Sequence, residues 1–232
     1  MIIEVTGVSG VGKTTFIDNL YKDNYYKYKI VFLGHENYTN TNLPKWFLYL
    51  TKINFYSDIF LITLAIFNIF INFKFSLFII KHILFSKYLC GYKLILLRVL
   101  FRRIGFFYLL NMKRFSSYIF IIDEGLFHLS HNILCSPNAI ASKTEIINFI
   151  KLYPLNGKLI ILTDDVKHIY KRIIKRGDYS PRIKNQKEVM GFLQNASHLF
   201  DIIIHNISYS KCQYLITNIN NKSNLKEFLI NE

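Results

Sequence analysis

Between Ile59 and Ile122 the chain has no aspartate or glutamate, a run of sixty-four residues without an acid. The same span holds Lys74, Lys81, Lys87, Lys93, Arg98, Arg102, Arg103, Lys113 and Arg114, nine charges against a net +14 for the whole 232-residue chain. So one-sided a segment expects an anionic partner, either substrate phosphates or anionic lipid head groups; nucleic acid is not expected. Cysteine is scarce as well. Cys90, Cys135 and Cys212 are widely spaced and odd in number, which excludes a disulfide scaffold and fits no zinc or redox spacing. His128 and His131 lack neighbouring ligand types, so packing or capping is expected of them rather than metal. Internal repeats and long linkers are missing, and the length suits one domain, 1–232, with a sizeable core. The richness in Phe, Ile, Asn, Lys and Tyr is what AT-rich coding produces, and it raises hydrophobicity without a functional cause.

What is present begins at Gly7. The stretch Gly7-Val8-Ser9-Gly10-Val11-Gly12-Lys13-Thr14-Thr15 is a phosphate-binding P-loop. Its glycines let backbone N–H groups turn toward phosphate oxygens, Lys13 reaches the β and γ oxygens, and the Thr14 hydroxyl can ligand Mg²⁺. Ile2–Val5 reads as a buried strand before it and Thr14–Tyr21 as a helix after it, so a helix N-terminus points at the anion. A loop starting at residue 7 leaves no room for a signal peptide, and a cytoplasmic location is expected, peripheral to the inner face of a membrane if the basic segment meets lipid.

Further strands are predicted at Ile30–Leu33, Tyr118–Ile122, Leu159–Thr163 and Tyr214–Thr217. Helical spacing runs from Lys187 to Ile207 through Val189, Phe192, Leu193, Ala196, Leu199, Phe200 and Ile203, and Ser223–Ile230 reads as a closing helix. Strands alternating with helical crossovers imply an α/β fold with a parallel sheet and helices on both faces.

The third strand delivers Asp123-Glu124-Gly125. Asp123 is expected in the Mg²⁺ shell opposite Thr14, and Glu124 can accept a proton from a nucleophile. After the fourth strand, Arg172 and Arg176 stand four apart on one helix face, and Gly177 and Pro181 break the helix before Arg182. Guanidiniums at a helix end and on a following loop suit a triphosphate that is covered only during transfer.

Together these motifs resemble the thymidylate-kinase-like P-loop kinases, and most nearly their relatives associated with bacterial polysaccharide biosynthesis. The specific likeness covers Met1–Leu20, Tyr118–Phe127 and Leu159–Arg182. The resemblance implies a P-loop NTPase fold with a five-stranded parallel sheet in order 2-3-1-4-5, ATP with Mg²⁺ as donor, and an arginine-bearing lid. Where thymidylate kinases carry Asp-Arg-Tyr and deoxynucleoside kinases Glu-Arg-Ser, this chain has Glu124 in the arginine's place. An acceptor hydroxyl that needs a base fits that change, with the acceptor's own charge met by Arg98, Arg102 or Arg103. Glu36, just after the second strand, is the rival base, since deoxynucleoside kinases place a glutamate near that point.

The stretch between the second and third strands, about 43–115, is expected to be a helical acceptor lid. Ile59–Phe73 is fifteen residues without a charge. Fifteen helical residues reach about 22 Å, short of a roughly 30 Å hydrocarbon core. Both flanking strands must also join one sheet, so an insert folded over the sheet edge is expected, with membrane-surface contact left open by the interleaved apolar and basic residues of Leu94–Arg114.

These readings converge on an ATP-dependent kinase acting on a hydroxyl of a small molecule or glycan, including an anionic or lipid-linked one. The alternatives are a nucleoside or nucleotide kinase and, from another class, a membrane-associated nucleotide-binding ATPase without an acceptor. A GTPase is disfavoured because the chain has no Asn-Lys-x-Asp. The sequence fixes neither the acceptor nor the oligomeric state, and a dimer is compatible with it.

Overall fold

A computed structural model of the chain describes residues 1–22, 30–33, 45–51, 55–86, 90–154, 157–177, 183, 185–218 and 228–229. Among them are seven strands: β1 (Ile2–Gly7), β2 (Ile30–Leu33), β3 (Ile119–Asp123), β4 (Cys135–Ser136), β5 (Ala139–Ile140), β6 (Lys158–Leu162) and β7 (Gln213–Thr217). β4 and β5 form a separate antiparallel ladder. The other five make one parallel sheet in the order β2-β3-β1-β6-β7. Counting only that sheet's strands, this is the expected order 2-3-1-4-5. β1 and β6 are buried at every position because helices cover both faces, which is why both are mainly apolar, with Glu4 and Thr6 the polar exceptions in β1 and Lys158 opening β6. β1 reaches two residues beyond its predicted end, since Gly7 still pairs with Leu162, and β3 ends on Asp123, which pairs with Val5.

The described helices are α1 (Lys13–Lys22), α2 (Lys45–Thr51), α3 (Phe55–Ile71), α4 (Phe73–Phe85), α5 (Cys90–Leu110), α6 (Leu129–Ile133), α7 (Lys143–Leu152), α8 (Val166–Arg176) and α9 (Gln186–Asn206). The predicted apolar stripe of α9 is its buried face, from Val189 to Ile203, and Asn185 caps its start by accepting from the Glu188 N–H. Sequence reading passed over α7, although Ser142 and Glu145 form a reciprocal capping box whose spacing is visible in the sequence. The predicted closing helix Ser223–Ile230 lies outside the described residues except for Phe228 and Leu229, which are helical.

Helices α2 to α5 lie between β2 and β3, where the long insert was expected. Phe47 of α2 anchors them to the sheet. It stacks on Phe120 of β3 at 6.0 Å and meets Phe115 at 5.1 Å. At a second anchor, Phe75 of α4 packs on Phe149 and Tyr153 beside α7. Helices α3 and α5 approach so closely that a Cβ on Gly105 would overlap the Leu61 carbonyl. Asp58 of α3 then accepts from both Arg98 and Arg102 of α5. No single described helix is long and apolar enough to cross a membrane; α3 and α4 meet that test only as a pair, with a 115° bend between them.

Burial raises the Asp58 carboxyl, but hydrogen bonds and charge from Arg98 and Arg102 outweigh it and hold the group below its ordinary value. Its stabilising contribution is therefore complete above the ordinary aspartate range and is lost as pH falls through the lowered value. Asp58→Asn should cost about 1–3 kcal/mol, because Arg102 keeps a largely covered guanidinium, 17% exposed, without its counter-charge. Thermal melts at pH 7 check this, and the gap between wild type and variant should close toward acid pH.

Candidate active site

The parallel register creates the site. Val5 of β1 pairs with Asp123 of β3, so the acidic end of β3 stands level with the entry to the P-loop. Ligands of open parallel sheets bind at this carboxyl edge. The loop needs its glycines for geometric reasons: Gly7, Gly10 and Gly12 have φ of 148°, 81° and 100°. A Cβ on Gly10 would also sit 2.7 Å from Ile173, because α8 packs directly on the loop. Helix α1 starts at Lys13, directing its N-terminal N–H groups at the loop's concavity. Thr14 and Thr15 are exposed there, while Lys13 is buried and lies 3.5 Å from the Gly7 carbonyl.

Glu124 is the hub of the charged groups. Its Oε1 is 3.3 Å from Lys13 Nζ and 3.4 Å from His128 Nε2, and its Oε2 is 3.9 Å from Arg103. Burial pushes the carboxyl up, but the charges of Lys13 and Arg103 outweigh that and bring it below the ordinary glutamate value. It is ionised at neutral pH. Its backbone has φ +57°, a left-handed conformation that a non-glycine residue rarely adopts, and this turns the side chain back toward the loop.

Beneath the turn lies Glu4, fully buried in β1. Its carboxylate accepts from the Phe127 and His128 N–H groups at 2.9 Å each and from the Tyr153 hydroxyl at 2.7 Å. A Cβ on Gly125 would come within 2.6 Å of it, so the Asp-Glu-Gly turn closes over Glu4 only with glycine third. Arg103 braces the other side by donating to the Gly125 carbonyl at 3.0 Å.

The three arginines grouped from the sequence separate in the structure. Arg98 and Arg102 turn to Asp58, although Arg102 also borders the cavity described below. Arg103 alone reaches Glu124 and Gly125. Arg172 lies against the P-loop, donating to the Gly10 carbonyl at 3.0 Å and to Asp164 at 2.6 Å. Arg176 is exposed one turn farther along α8. Glu36 and Arg182 lie outside the described residues.

Sequence reasoning missed Glu4, Tyr153, His128's role beside Glu124, and Asp164. Glu4 had a signal, a charge inside the apolar strand Ile-Ile-Glu-Val; Asp164, just beyond β6, had the weaker one of a carboxylate at a strand end.

A cavity of about 410 Å³ opens at Glu124. Leu33, Leu50, Val99, Phe106, Phe107 and Leu126 give it apolar walls, and Arg102, Arg103, Asp123 and Glu124 form a polar end. The hydroxyl of Thr14 and the carboxylate of Asp123 are hard oxygen donors of the kind Mg²⁺ takes, and a loop of exposed hydroxyls beside a buried lysine fits a triphosphate.

No protein-family model matches the chain, and no curated protein matches it. Among solved structures it is similar to a deoxyadenosine kinase from M. mycoides, determined with the products dCMP and a flexible dCDP bound. The identity is 15%, the TM-score 0.41, and the alignment covers 95% of this chain and 92% of that one.

Glu4→Gln places an amide N–H₂ among three donors in a dry site. It should cost about 1–3 kcal/mol and loosen the turn that aims Glu124. A lowered melting temperature, with amide exchange accelerated more at Phe127 and His128 than in the strands of the sheet, checks this.

Proposed function

We propose that the chain is an ATP-dependent kinase that transfers the γ-phosphate to a hydroxyl of a nucleoside-like acceptor. The observation that carries this is the cavity's position, with its polar end at Asp123 and Glu124 beside Lys13. An acceptor seated there presents its hydroxyl to a carboxylate and to the donor phosphate together. The walls select between acceptor classes. A glycan needs hydrogen-bond partners around its ring edge, which this lining offers only at its polar end, whereas Phe106, Phe107 and Leu126 suit a flat, partly apolar ring. The volume of about 410 Å³ is ample for a nucleoside and cramped for a lipid-linked glycan.

In this reading the P-loop N–H groups and Lys13 hold the β and γ phosphate oxygens, and Arg172 covers the loop from α8. Thr14 and Asp123 would hold Mg²⁺, which neutralises phosphate charge when bound. Glu124, already ionised, takes the proton from the acceptor hydroxyl as the new O–P bond forms and the bond to the ADP oxygen breaks. Arg103 keeps that carboxylate turned to the cavity. Because phosphoryl transfer proceeds through a loose transition state, positioning matters more here than a strong base, and a carboxylate of low basicity suffices. Lys13 must exchange Glu124 for phosphate when ATP enters, so the ion pair holds its ammonium in place beforehand.

Incubating the protein with γ-labelled ATP, Mg²⁺ and a panel of nucleosides, sugars and lipid-linked glycans tests the proposal. Transfer to nucleosides is expected; acceptor-independent hydrolysis would assign it to an ATPase, and transfer to glycans alone would restore the sugar reading. Lys13→Ala should abolish transfer. Glu124→Gln should lower turnover by about 10²–10⁴-fold. ATP affinity should hold or tighten in that variant, since Lys13 no longer has a carboxylate to leave.

The depressed value of Glu124 also sets a pH expectation. Its acid limb in kcat/KM should fall below the ordinary glutamate value of 4.5, leaving this group's contribution level across neutral pH. An acid limb near neutrality that survives in Glu124→Gln would move the base elsewhere, with Glu36 the first to replace.

A further inference from the structure

Helix α3 is apolar on its outer side. Its buried positions are Ser57, Asp58 and Asn68 together with Leu61 and Ala65, while Tyr56, Phe67, Phe70 and Ile71 face outward with 72%, 61%, 77% and 70% of their surface exposed. A helix bordering water shows the opposite arrangement, and folded monomers rarely leave so large a contiguous apolar face uncovered. Beyond the bend, α4 also exposes apolar and basic residues. There Lys74, Leu77, Lys81 and Leu84 are exposed at helical spacing, and Phe85, 81% exposed, ends the helix.

We propose that the outer face of α3 and α4 docks on an anionic lipid bilayer. Charge complementarity selects this occupant. Asp58 is the only acid between Phe55 and Ile122, and it is buried against Arg98 and Arg102. The two helices therefore offer lysines and apolar rings with no exposed carboxylate of their own, and Glu145 of α7, which reaches α4, is paired there with His82 and bonded to Ser142. A second copy of the chain would bring an equally basic, acid-free face against it, whereas lipid phosphates match it. Aromatic and aliphatic tips enter the head-group boundary while Lys74 and Lys81 extend their ammoniums to the phosphates. The contact lies along the surface and does not span it, because α3 and α4 turn through 115° and the strands on either side of the insert, β2 and β3, pair in one sheet.

The test is flotation of the full chain with vesicles of phosphatidylcholine alone and of phosphatidylcholine mixed with phosphatidylglycerol, at low and high salt. Binding to the mixed vesicles is expected, weakening as salt screens the exposed lysines within about 10 Å at 0.1 M. Phe67→Glu with Phe70→Glu should lower vesicle binding about tenfold or more, and Lys74→Glu with Lys81→Glu should do likewise on anionic vesicles only. All four positions are exposed, so melting temperature and the ATP-induced rise in it should stay at wild-type values, separating lost docking from lost folding. Sedimentation of the same proteins supplies the other arm. Failure of the wild type to float with anionic vesicles overturns the proposal. So does a dimer that the Phe67/Phe70 variant splits into monomers, which would give the face to a second copy.

Discussion

A carboxylate buried in the central strand governs the geometry of the site. Glu4 sits where an apolar side chain would cost less, and burial raises its carboxyl above the ordinary value despite three donors and the nearby charge of Arg103. Those donors come from the turn that follows β3 and from the end of α7. Satisfying one buried acid therefore fixes the path of the chain from Asp123 to His128, and with it the place of Glu124. The burden runs in both directions. Tyr153 is held protonated, its hydroxyl pushed well up by burial and by the Glu4 charge, so its donated hydrogen bond persists at any physiological pH.

The scarcity of acids gives four of the described ones a wide reach. Asp58 joins α3 to α5 through two arginines, Glu124 gathers Lys13, Arg103 and His128, Asp164 ties α8 to the P-loop through Arg172, and Glu145 both caps α7 and meets His82 of α4 at 3.2 Å. In a chain of net charge +14 these pairings form the electrostatic skeleton, and much of the remaining positive charge is left to face solvent or ligand. The polar end of the cavity and the α3–α5 contact thus rest on the same device, one carboxylate shared between two or more cations.

The elements legible in the sequence are those whose signal is local. The P-loop, the apolar runs of β1, β3 and β6, and the α9 stripe each declare themselves within about twenty residues, and the sheet order followed from the family likeness those motifs carried. The pairing of Glu4 with Tyr153 spans 149 positions and has no local signature beyond an acid in an apolar strand. The division among the arginines was readable in principle. Arg98 and Arg102 are four apart and share a face, while Arg103 stands about 100° farther round the helix, which is why two turn to α3 and one to the site. What hid this was Asp58 itself: it lies one residue outside the acid-free run, where it looked like a boundary and not a partner.

Glu124 occupies a backbone conformation that glycine, or to a lesser degree asparagine, adopts at lower cost, by roughly 1 kcal/mol or more. Mutational drift guided by folding alone would therefore carry this position toward glycine, relaxing the turn and freeing Lys13 and Arg103 from their common anion. A protein library sorted only for solubility or heat resistance should accumulate such replacements here, whereas one sorted for the proposed phosphoryl transfer should reject them. The position thus acts as a marker in which selection for function and selection for stability leave opposite records.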